Sequence, residues 1–397
     1  MTNLDSIYKA ENYVLSTYNR FPISLVKGEG SYVWDADGKE YVDFVSGIAV
    51  CALGHSNPSL VKAITEQAQQ LWHISNLYYN EPQVLLAEKL ISLTGLGKVF
   101  FCNSGAEANE AAIKLVRKYF YRHNEAGRNE IISFNKSFHG RTMGALAATG
   151  QAKYHEGFAP MVAGFAYADY NDLSSVEGLI SDKIAAIMVE PIQGEGGINV
   201  AELGFLRGLR DICTREGIWL IFDEVQTGVG RTGKLWAYEH YGLKPDIITM
   251  AKALGGGFPI GAMVVADKVA SGFAPGDHAT TYGGNPLACA VASAVLDIVG
   301  ETEFLDKVKA RGDYLVQSLK DIGDSRIRDI RGQGLLIGVE FSEEVGDLIK
   351  LCVDKGLLLV GAGPNVVRFI PPLNVKEVEI NKAIAIFKDA LKAWQSN

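Results

Sequence analysis

The central part of the chain alternates short apolar runs with longer segments of helical periodicity. The apolar runs, rich in β-branched residues, occupy residues 98–103, 130–134, 184–190, 218–223, 246–250 and 260–266. Between them, segments such as 107–121 and 203–216 repeat apolar residues at the spacing of one helix face. Strands buried on both faces and separated by helices predict an α/β fold with a mostly parallel sheet flanked by helices.

Both ends of the chain follow a different pattern. Residues 24–45 alternate apolar and polar side chains around the sequence DADG at 35–38, which predicts short antiparallel strands. Beyond residue 300, the pattern predicts helices over 304–319 and 375–394 and strands over 334–340 and 366–370. We therefore expect a large domain over 56–300, a smaller α+β domain over 301–397, and an N-terminal segment, 1–55, that joins the smaller domain.

Composition and charge narrow the class of protein. With 48% hydrophobic and 21% charged residues in 397, the chain is neither disordered nor a coiled coil. The chain has 38 Lys and Arg residues and 46 Asp and Glu residues, so its formal net charge is -8. A negative net charge argues against nucleic acid or an anionic membrane as the main partner. No run of 18 apolar residues and no signal-peptide pattern occurs, so we expect no membrane span. Five scattered cysteines without a CxxC pair predict free thiols, no metal site and a cytoplasmic setting.

Polar residues stand where the predicted strands end, which is where open parallel sheets bind ligands. One strand ends at Asp223 and the next leads into Lys252, while Ser104-Gly105-Ala106 join a strand to a helix. The free N–H groups of a helix start can bind phosphate. A partly desolvated Lys forms Schiff bases, and a buried Asp can pair with a protonated pyridine nitrogen. Together these features predict a pyridoxal 5′-phosphate (PLP) site.

Nucleotide binding is the alternative interpretation of the glycine-rich loops, since 43 of the 397 residues are Gly. Residues 228–234 fit GxxxxGK, but Leu235 follows where a P-loop needs a Ser or Thr hydroxyl. The glycines at 255–257 and 332–334 lack the GxGxxG spacing of a dinucleotide site. A nucleotide-binding protein is therefore the less favoured hypothesis, as is a PLP-binding regulator without enzymatic activity.

Motifs along nearly the whole chain resemble the class-III PLP-dependent aminotransferases of fold type I. In chain order they are SGIAVCALGH, WHISNLYYN, FFCNSGAEANEAAIKLVRKY, SFHGRT, VEPIQGEGGI, FDEVQTGVGRTGKLWAYEHYG, PDIITMAKALGGGFPIGA, TTYGGNPLA and VRFIPPL. Several long motifs in order are far more specific than one short pattern. The resemblance implies a homodimer whose active sites are shared between the subunits.

The same resemblance assigns cofactor-binding roles to particular residues. Lys252 matches the lysine that forms a Schiff base with PLP and moves a proton during transamination. Asp223 matches the partner of the pyridine nitrogen, which keeps the ring an electron sink. Further positions that match cofactor contacts are Ser104, Gly105, Ala106, Phe138, Glu224, Val225, Gln226 and, from the neighbouring subunit, Thr281.

Substrate binding is assigned by the resemblance to two arginines and three further residues. Arg141 matches the arginine that holds the carboxylate of the amino donor, and Arg368 matches the one that binds the α-carboxylate of 2-oxoglutarate or glutamate. Glu195 matches the acid that pairs with Arg368 when the donor places no carboxylate there, so we hypothesise a Glu195–Arg368 switch. Thr280 and Tyr18 match further substrate contacts.

Ile48 bears on the choice of amino donor. Similar enzymes that act on ornithine carry a Tyr at this position, whereas an apolar residue fits an acylated amine because a buried charge without a partner is costly. The expected reaction converts N2-acetyl-L-ornithine and 2-oxoglutarate to N-acetyl-L-glutamate 5-semialdehyde and L-glutamate by a ping-pong mechanism, as in arginine biosynthesis. The alternatives are the same chemistry on succinylornithine, succinyldiaminopimelate, ornithine or 4-aminobutyrate. His55, His73 and His139 are assigned no catalytic role.

Overall fold

The computed structural model describes residues 1–394 of the chain. The strands are β1 (Leu25–Glu29), β2 (Tyr32–Asp35), β3 (Glu40–Asp43), β4 (Lys98–Cys102), β5 (Glu130–Phe134), β6 (Phe165–Ala168), β7 (Ile184–Val189), β8 (Ile192–Gln193), β9 (Asn199–Val200), β10 (Trp219–Asp223), β11 (Ile247–Met250), β12 (Gly261–Val265), β13 (Ile327–Gln333), β14 (Leu336–Phe341), β15 (Leu357–Leu358), β16 (Val360–Gly361) and β17 (Val366–Phe369).

The helices are α1 (Asn3–Tyr13), α2 (Ser46–Ala49), α3 (Pro58–Ala68), α4 (Glu81–Thr94), α5 (Gly105–Arg122), α6 (Met143–Ala148), α7 (Ala152–His155), α8 (Leu173–Glu177), α9 (Leu203–Glu216), α10 (Asp267–Ala270), α11 (Pro286–Val299), α12 (Thr302–Lys320), α13 (Gly346–Asp354) and α14 (Glu377–Ala393). Two short 3₁₀ helices cover Ala237–Tyr241 and Lys252–Gly255. None of the helices within residues 1–394 is long and apolar enough to cross a membrane.

A seven-stranded sheet in the order β4-β12-β11-β10-β7-β5-β6 forms the centre of the molecule. The pairs from β11 to β6 are parallel, and β12 runs antiparallel to both of its neighbours. Every residue of β7 and β10 is buried, which is why these strands are continuous apolar runs in the sequence. The predicted α/β class with a mostly parallel sheet is confirmed, and β12 is the antiparallel exception.

The two ends of the chain meet in smaller sheets. Strands β1, β2 and β3 pair antiparallel, as the sequence predicts, and β15 from the C-terminal part joins β3 in parallel. A separate antiparallel sheet has the order β13-β14-β17-β16. The proposed domain boundaries stay a prediction, and residues 395–397 of the C-terminal domain lie outside the described residues.

Helix α1 and strand β6 are among the elements that have no counterpart in the predicted ranges. Helix α1 has apolar residues at helical spacing, Leu4, Ile7 and Tyr8, but it buries none of its residues. Strand β6 has four residues and lies at the edge of the main sheet, where a short run is hard to distinguish from a loop. Neither element lines the cavity described below.

The α2 segment is a single left-handed turn. Its φ angles are 51° at Ser46, 65° at Gly47, 65° at Ile48 and 61° at Ala49. A β-branched residue is rare in this region, because its Cβ crowds the backbone. The Asp43 carboxylate holds the turn by accepting the N–H groups of Val45 and Ser46 at 2.8 and 2.9 Å. The turn lies close to the cavity, because the next residue, Val50, lines it.

Candidate active site

A cavity of about 430 Å³ opens beyond the carboxyl ends of β10 and β11, at the start of α5. Most of the residues that the sequence nominates line this one cavity. They are Ser104, Gly105, Ala106, Phe138, Arg141, Glu195, Asp223, Val225, Gln226 and Lys252. Their separation in the sequence is large, but parallel strands bring their carboxyl ends to one edge of the sheet.

Asp223 is the last residue of β10, and three hydrogen bonds hold its carboxylate in place. Its carboxylate accepts the Asn109 amide at 2.8 Å and the Val225 N–H at 3.0 Å, and pairs with Nδ1 of His139 at 2.7 Å. Burial lowers the pKa of His139, but the hydrogen bond and charge of Asp223 outweigh it and raise the pKa above its ordinary value. These three hydrogen bonds fix the orientation of the buried Asp223 carboxylate.

Asn109, His139 and Glu190 also belong to the site, although the sequence analysis assigned none of them a role. Asn109 lies one turn into α5, a polar residue on a face that is otherwise alanine-rich and buried. That interruption of the apolar face was the available signal. Glu190 follows β7, accepts the Phe138 N–H at 3.0 Å and lines the cavity. Burial raises the pKa of the Glu190 carboxyl to about 8.

The start of α5 forms an anion cradle. Ser104 caps the helix by accepting the Glu107 N–H at 3.2 Å, so its hydroxyl serves the fold, while the first-turn amides of Gly105 and Ala106 border the cavity. Such amides have no partner inside a helix and attract phosphate. A larger residue than glycine does not fit at position 105, because a Cβ there would lie 2.6 Å from a methyl group of Val225.

Lys252 follows β11 and enters a 3₁₀ turn with a positive φ of 45°. Its side chain reaches the cavity that Asp223 and Glu195 also line. Burial lowers the pKa of the Lys252 ammonium, and the charge of Glu195 opposes this shift. A lysine in this setting reaches its neutral, nucleophilic form more readily than a surface lysine.

Arg368 on β17 is fully buried and forms a two-pronged ion pair with Glu195. The nitrogen–oxygen distances are 2.6 and 3.2 Å, and Gln226 bridges the pair by donating to Glu195 and accepting from Arg368. Burial raises the pKa of Glu195, but the charge and hydrogen bonds of Arg368 outweigh it and lower the pKa below its ordinary value. Glu195 is therefore ionised and lines the cavity, whereas Arg368, to which it is bonded, is not among the lining residues.

Arg141 contributes a second guanidinium, which is exposed at the cavity. It lies 4.1 Å from the ring centre of Tyr154 and 5.6 Å from that of Phe138. No carboxylate pairs with Arg141 among the residues that the structure describes. Aromatic rings hold the cation without neutralising it, so Arg141 is free to bind an incoming carboxylate.

Glu224 does not reach the cavity, contrary to the sequence-based assignment. Its carboxylate accepts the hydroxyl of Thr227 at 2.7 Å and the N–H of Tyr238 at 2.9 Å. Burial raises the pKa of Glu224 to about 7. The side chain points to the opposite face of the backbone from Asp223 and Val225, and it stabilises the loop after β10 rather than a ligand.

Three other nominated residues also lie outside the cavity of this chain. Thr281 is exposed, and Thr280 uses its hydroxyl to accept from Asn103 at 3.3 Å and from the Gly283 N–H at 3.2 Å. Tyr18 is 72% exposed and borders a separate groove next to α1.

The side chains present fit PLP. The cradle at Gly105 suits a phosphate, the buried Asp223 suits a protonated ring nitrogen, and Lys252 suits an aldehyde. The Nε2 atom of His139 has no hydrogen-bond partner within residues 1–394, although it is buried. No group of three or more candidate metal ligands occurs in that part of the chain.

Comparisons with known proteins agree with this site. Residues 13–391 match the family model described as aminotransferase class-III. The chain is 51% identical to the acetylornithine aminotransferase of Clostridium acetobutylicum, covering 96% of this chain and 100% of that protein. It is 49% identical to the succinylornithine transaminase of Yersinia pseudotuberculosis, covering 94% of each. The solved ornithine aminotransferase of Toxoplasma gondii, which holds PLP at partial occupancy, superimposes with a TM-score of 0.95 at 34% identity, covering 99% of this chain and 94% of that one.

Proposed function

The chain belongs to the class-III aminotransferases and is a PLP-dependent transaminase, and from this premise we propose that its amino donor is N2-acetyl-L-ornithine. The amino group passes to 2-oxoglutarate, so that the products are N-acetyl-L-glutamate 5-semialdehyde and L-glutamate. A relative named acetylornithine aminotransferase, half identical over nearly the whole chain, supports this choice.

One observation carries the proposal: of the two guanidinium groups at the site, one is paired with a carboxylate of the protein and the other is not. Arg141 stands ready for a carboxylate, whereas Glu195 neutralises Arg368. A donor that reacts at its terminal amine, as acetylornithine does, brings one carboxylate to Arg141 and none to Arg368. A 2-oxoglutarate molecule brings a second carboxylate, which binds Arg368 when Glu195 swings away.

The chemistry divides between the cofactor and the protein. Bound PLP supplies the electron sink for the negative charge that develops at the amino-bearing carbon. The Lys252 amine, which lines the cavity, would take the proton from that carbon and deliver it to the cofactor carbon on the other side of the shared nitrogen. Asp223, whose carboxylate is bonded to His139 and Asn109, would hold the proton on the pyridine nitrogen. Arg141 orients the donor so that its terminal amine lies near Lys252.

A second candidate donor differs from acetylornithine only in its acyl group. The relative from Yersinia pseudotuberculosis carries the name succinylornithine transaminase at nearly the same identity, so succinylornithine is the alternative donor. Free ornithine fits less well, because Ile48 offers its α-ammonium group no hydrogen-bond partner. Ile48 is 39% exposed on the left-handed turn that precedes Val50 at the cavity.

The homodimer and the cytoplasmic setting are part of the proposal. Thr281 is exposed and lies outside the cavity of its own chain, which supports a role at the cofactor phosphate of the partner subunit. Five free cysteines, four of them buried, are in keeping with a reducing compartment.

A panel of donors assayed with 2-oxoglutarate tests the proposal. We expect kcat/KM to be highest for acetylornithine, lower for succinylornithine, and at least about fivefold lower for ornithine and 4-aminobutyrate, because an unmatched buried polar group costs about 1–3 kcal/mol. Lys252→Ala should abolish turnover with every donor, whereas Lys234→Ala, which alters an exposed lysine of the loop after β10, should not. Ornithine as the preferred donor would contradict the proposed substrate but not the class of reaction.

A further inference from the structure

Glu195 stands between two cavities. The active-site cavity lies on one side, and a second cavity of about 650 Å³ lies on the other. Within residues 1–394, Glu195 is the one residue that lines both. The second cavity is bordered by the loop after β5, the loop between β8 and β9, and strands β13 and β14. A Glu195 side chain that leaves Arg368 can therefore turn into the second cavity, away from the substrate.

A displaced Glu195 carboxylate needs a new partner. When the α-carboxylate of glutamate or 2-oxoglutarate takes its place at Arg368, Glu195 loses two charged hydrogen bonds. A partly buried carboxylate without a partner is costly. The cations of the active-site cavity are not available, because Arg141 is engaged by the other carboxylate of the substrate and the Lys252 amine has to react. The new partner must therefore lie in the second cavity.

Three cations line the second cavity, and they differ in their partners. Arg331 already donates to the carboxylates of Asp329 and Glu340. Lys153 and Lys136 pair with no carboxylate among residues 1–394. The Lys153 ammonium lies 4.8 Å from the centre of the neighbouring tyrosine ring, which attracts it. Lys136 has no such ring, so its ammonium is the more available of the two.

Lys136 is packed against the loop that carries Glu195. A Cβ on Gly196, the residue after Glu195, would lie 2.9 Å from the Cβ of Lys136. Lys136 has a φ of 67°, which is uncommon for a residue with a side chain. Two hydrogen bonds hold it there: its N–H donates to the Gly150 carbonyl at 2.8 Å, and its carbonyl accepts from the Gln151 amide at 3.3 Å. The lysine side chain therefore starts from a fixed position beside Glu195.

We propose that Lys136 receives the Glu195 carboxylate when a dicarboxylate substrate occupies Arg368. This role rests on the proposed function, in which the substrate displaces Glu195. Lys136 does not touch the substrate; it is a positioning residue that stabilises the displaced Glu195 side chain. A compact ammonium on a flexible stem suits a partner that moves. Lys136 thereby favours the binding of glutamate and 2-oxoglutarate, which displace Glu195, over donors that leave the ion pair in place.

Binding of glutarate to the holoenzyme tests this role. Glutarate carries the two carboxylates of 2-oxoglutarate but has no carbonyl or amino group that could react, and calorimetry gives its Kd. Lys136→Met should weaken glutarate binding by about two- to fivefold, the contribution of one partly exposed ion pair. Lys136→Arg keeps the charge and should restore most of the affinity. Lys62→Met, which alters an exposed lysine of α3, is the matched control and should not change the Kd.

A double-mutant cycle distinguishes a partner of Glu195 from a lysine that merely attracts anions. In Glu195→Gln no carboxylate has to be received, so Lys136→Met should weaken glutarate binding no further in that background. An equal loss of affinity in both backgrounds would overturn the proposal. In turnover, Lys136→Met should lower kcat/KM for 2-oxoglutarate by the factor seen in binding and leave kcat/KM for acetylornithine unchanged. An equal fall in both values would show a structural role instead.

Glu195→Gln alone separates the failure of this role from the failure of the proposed function. If that variant binds glutarate more tightly while Lys136→Met leaves the Kd unchanged, the substrate displaces Glu195 but Lys136 does not receive it. If Glu195→Gln leaves glutarate binding unchanged, the displacement itself fails, and the role of Lys136 fails with it. The choice of amino donor affects neither result, because glutarate stands in for the amino acceptor.

Discussion

Replacing Glu195 with Gln should alter the two half-reactions in different ways. The change removes the charge but keeps the shape of the side chain that pairs with Arg368 at 2.6 and 3.2 Å. In the acetylornithine half-reaction no carboxylate takes its place, so a buried guanidinium keeps only the Gln226 oxygen and the carbonyl groups of Gly194 and Gly361. In the glutamate half-reaction the substrate carboxylate no longer competes with Glu195 for Arg368.

The size of the effect follows from the geometry of the pair. At a separation of roughly 4 Å and an effective dielectric constant of about 20, the two charges attract by about 4 kcal/mol. Gln226 and the carbonyl groups recover part of this, which leaves about 1.5–3 kcal/mol, the contribution of a hydrogen bond to a charged group. We therefore expect the acetylornithine half-reaction to slow by about ten- to a hundredfold, while the glutamate half-reaction keeps its rate or becomes faster.

Single-turnover absorbance measurements of each half-reaction provide the assay. Glu202→Gln, an exposed carboxylate just before α9, is the matched control and should change neither rate. If both half-reactions of Glu195→Gln fall by the same factor, Glu195 and Arg368 form a structural ion pair and the switch hypothesis is refuted.

Three further changes have defined outcomes. Asp223→Asn should lower the single-turnover rate by about 10²–10³, because a neutral amide no longer holds the proton on the ring nitrogen, and an unchanged rate would remove Asp223 from the chemistry. Gly105→Ala should weaken PLP binding by about ten- to a hundredfold in equilibrium dialysis, because its methyl group would lie 2.6 Å from a valine side chain, whereas Gly204→Ala has open space and should bind normally. The Asp43–His55 pair should stabilise the fold fully below about pH 6.5 and lose its contribution as the pH rises through about 10, since folding raises the pKa of His55. Denaturant unfolding of His55→Gln should lack that alkaline decline, and an identical pH profile would contradict the reasoning.

Most of the fold could be predicted because burial on both faces produces a simple signal. Strands β7 and β10 are buried along their whole length, and each predicted run agrees with its strand to within one residue at either end. The direction of β12 could not be predicted, because an antiparallel strand in the middle of a sheet is as apolar as its parallel neighbours. Helix α1 was not predicted from the sequence, and none of its residues is buried in the structure.

Some site residues can be recognised from the sequence, whereas the orientation of others depends on the folded structure. Asp223, Lys252 and Gly105 stand out in the sequence, because they interrupt apolar runs at strand ends. Glu224 follows Asp223 directly, yet successive residues point to opposite sides of the backbone, and its carboxylate bonds to Thr227 instead of facing the cavity.

The sequence by itself indicated the family and the cofactor, because long motifs in order resemble those of the class-III aminotransferases, and it nominated residues for the chemistry at predicted strand ends and helix starts. The tertiary structure decided which side chains act together. His139 meets Asp223 from 84 residues away, and Arg368 meets Glu195 from 173 residues away. Charges interact through space over a few ångströms, and only the folded chain fixes which of them are that close.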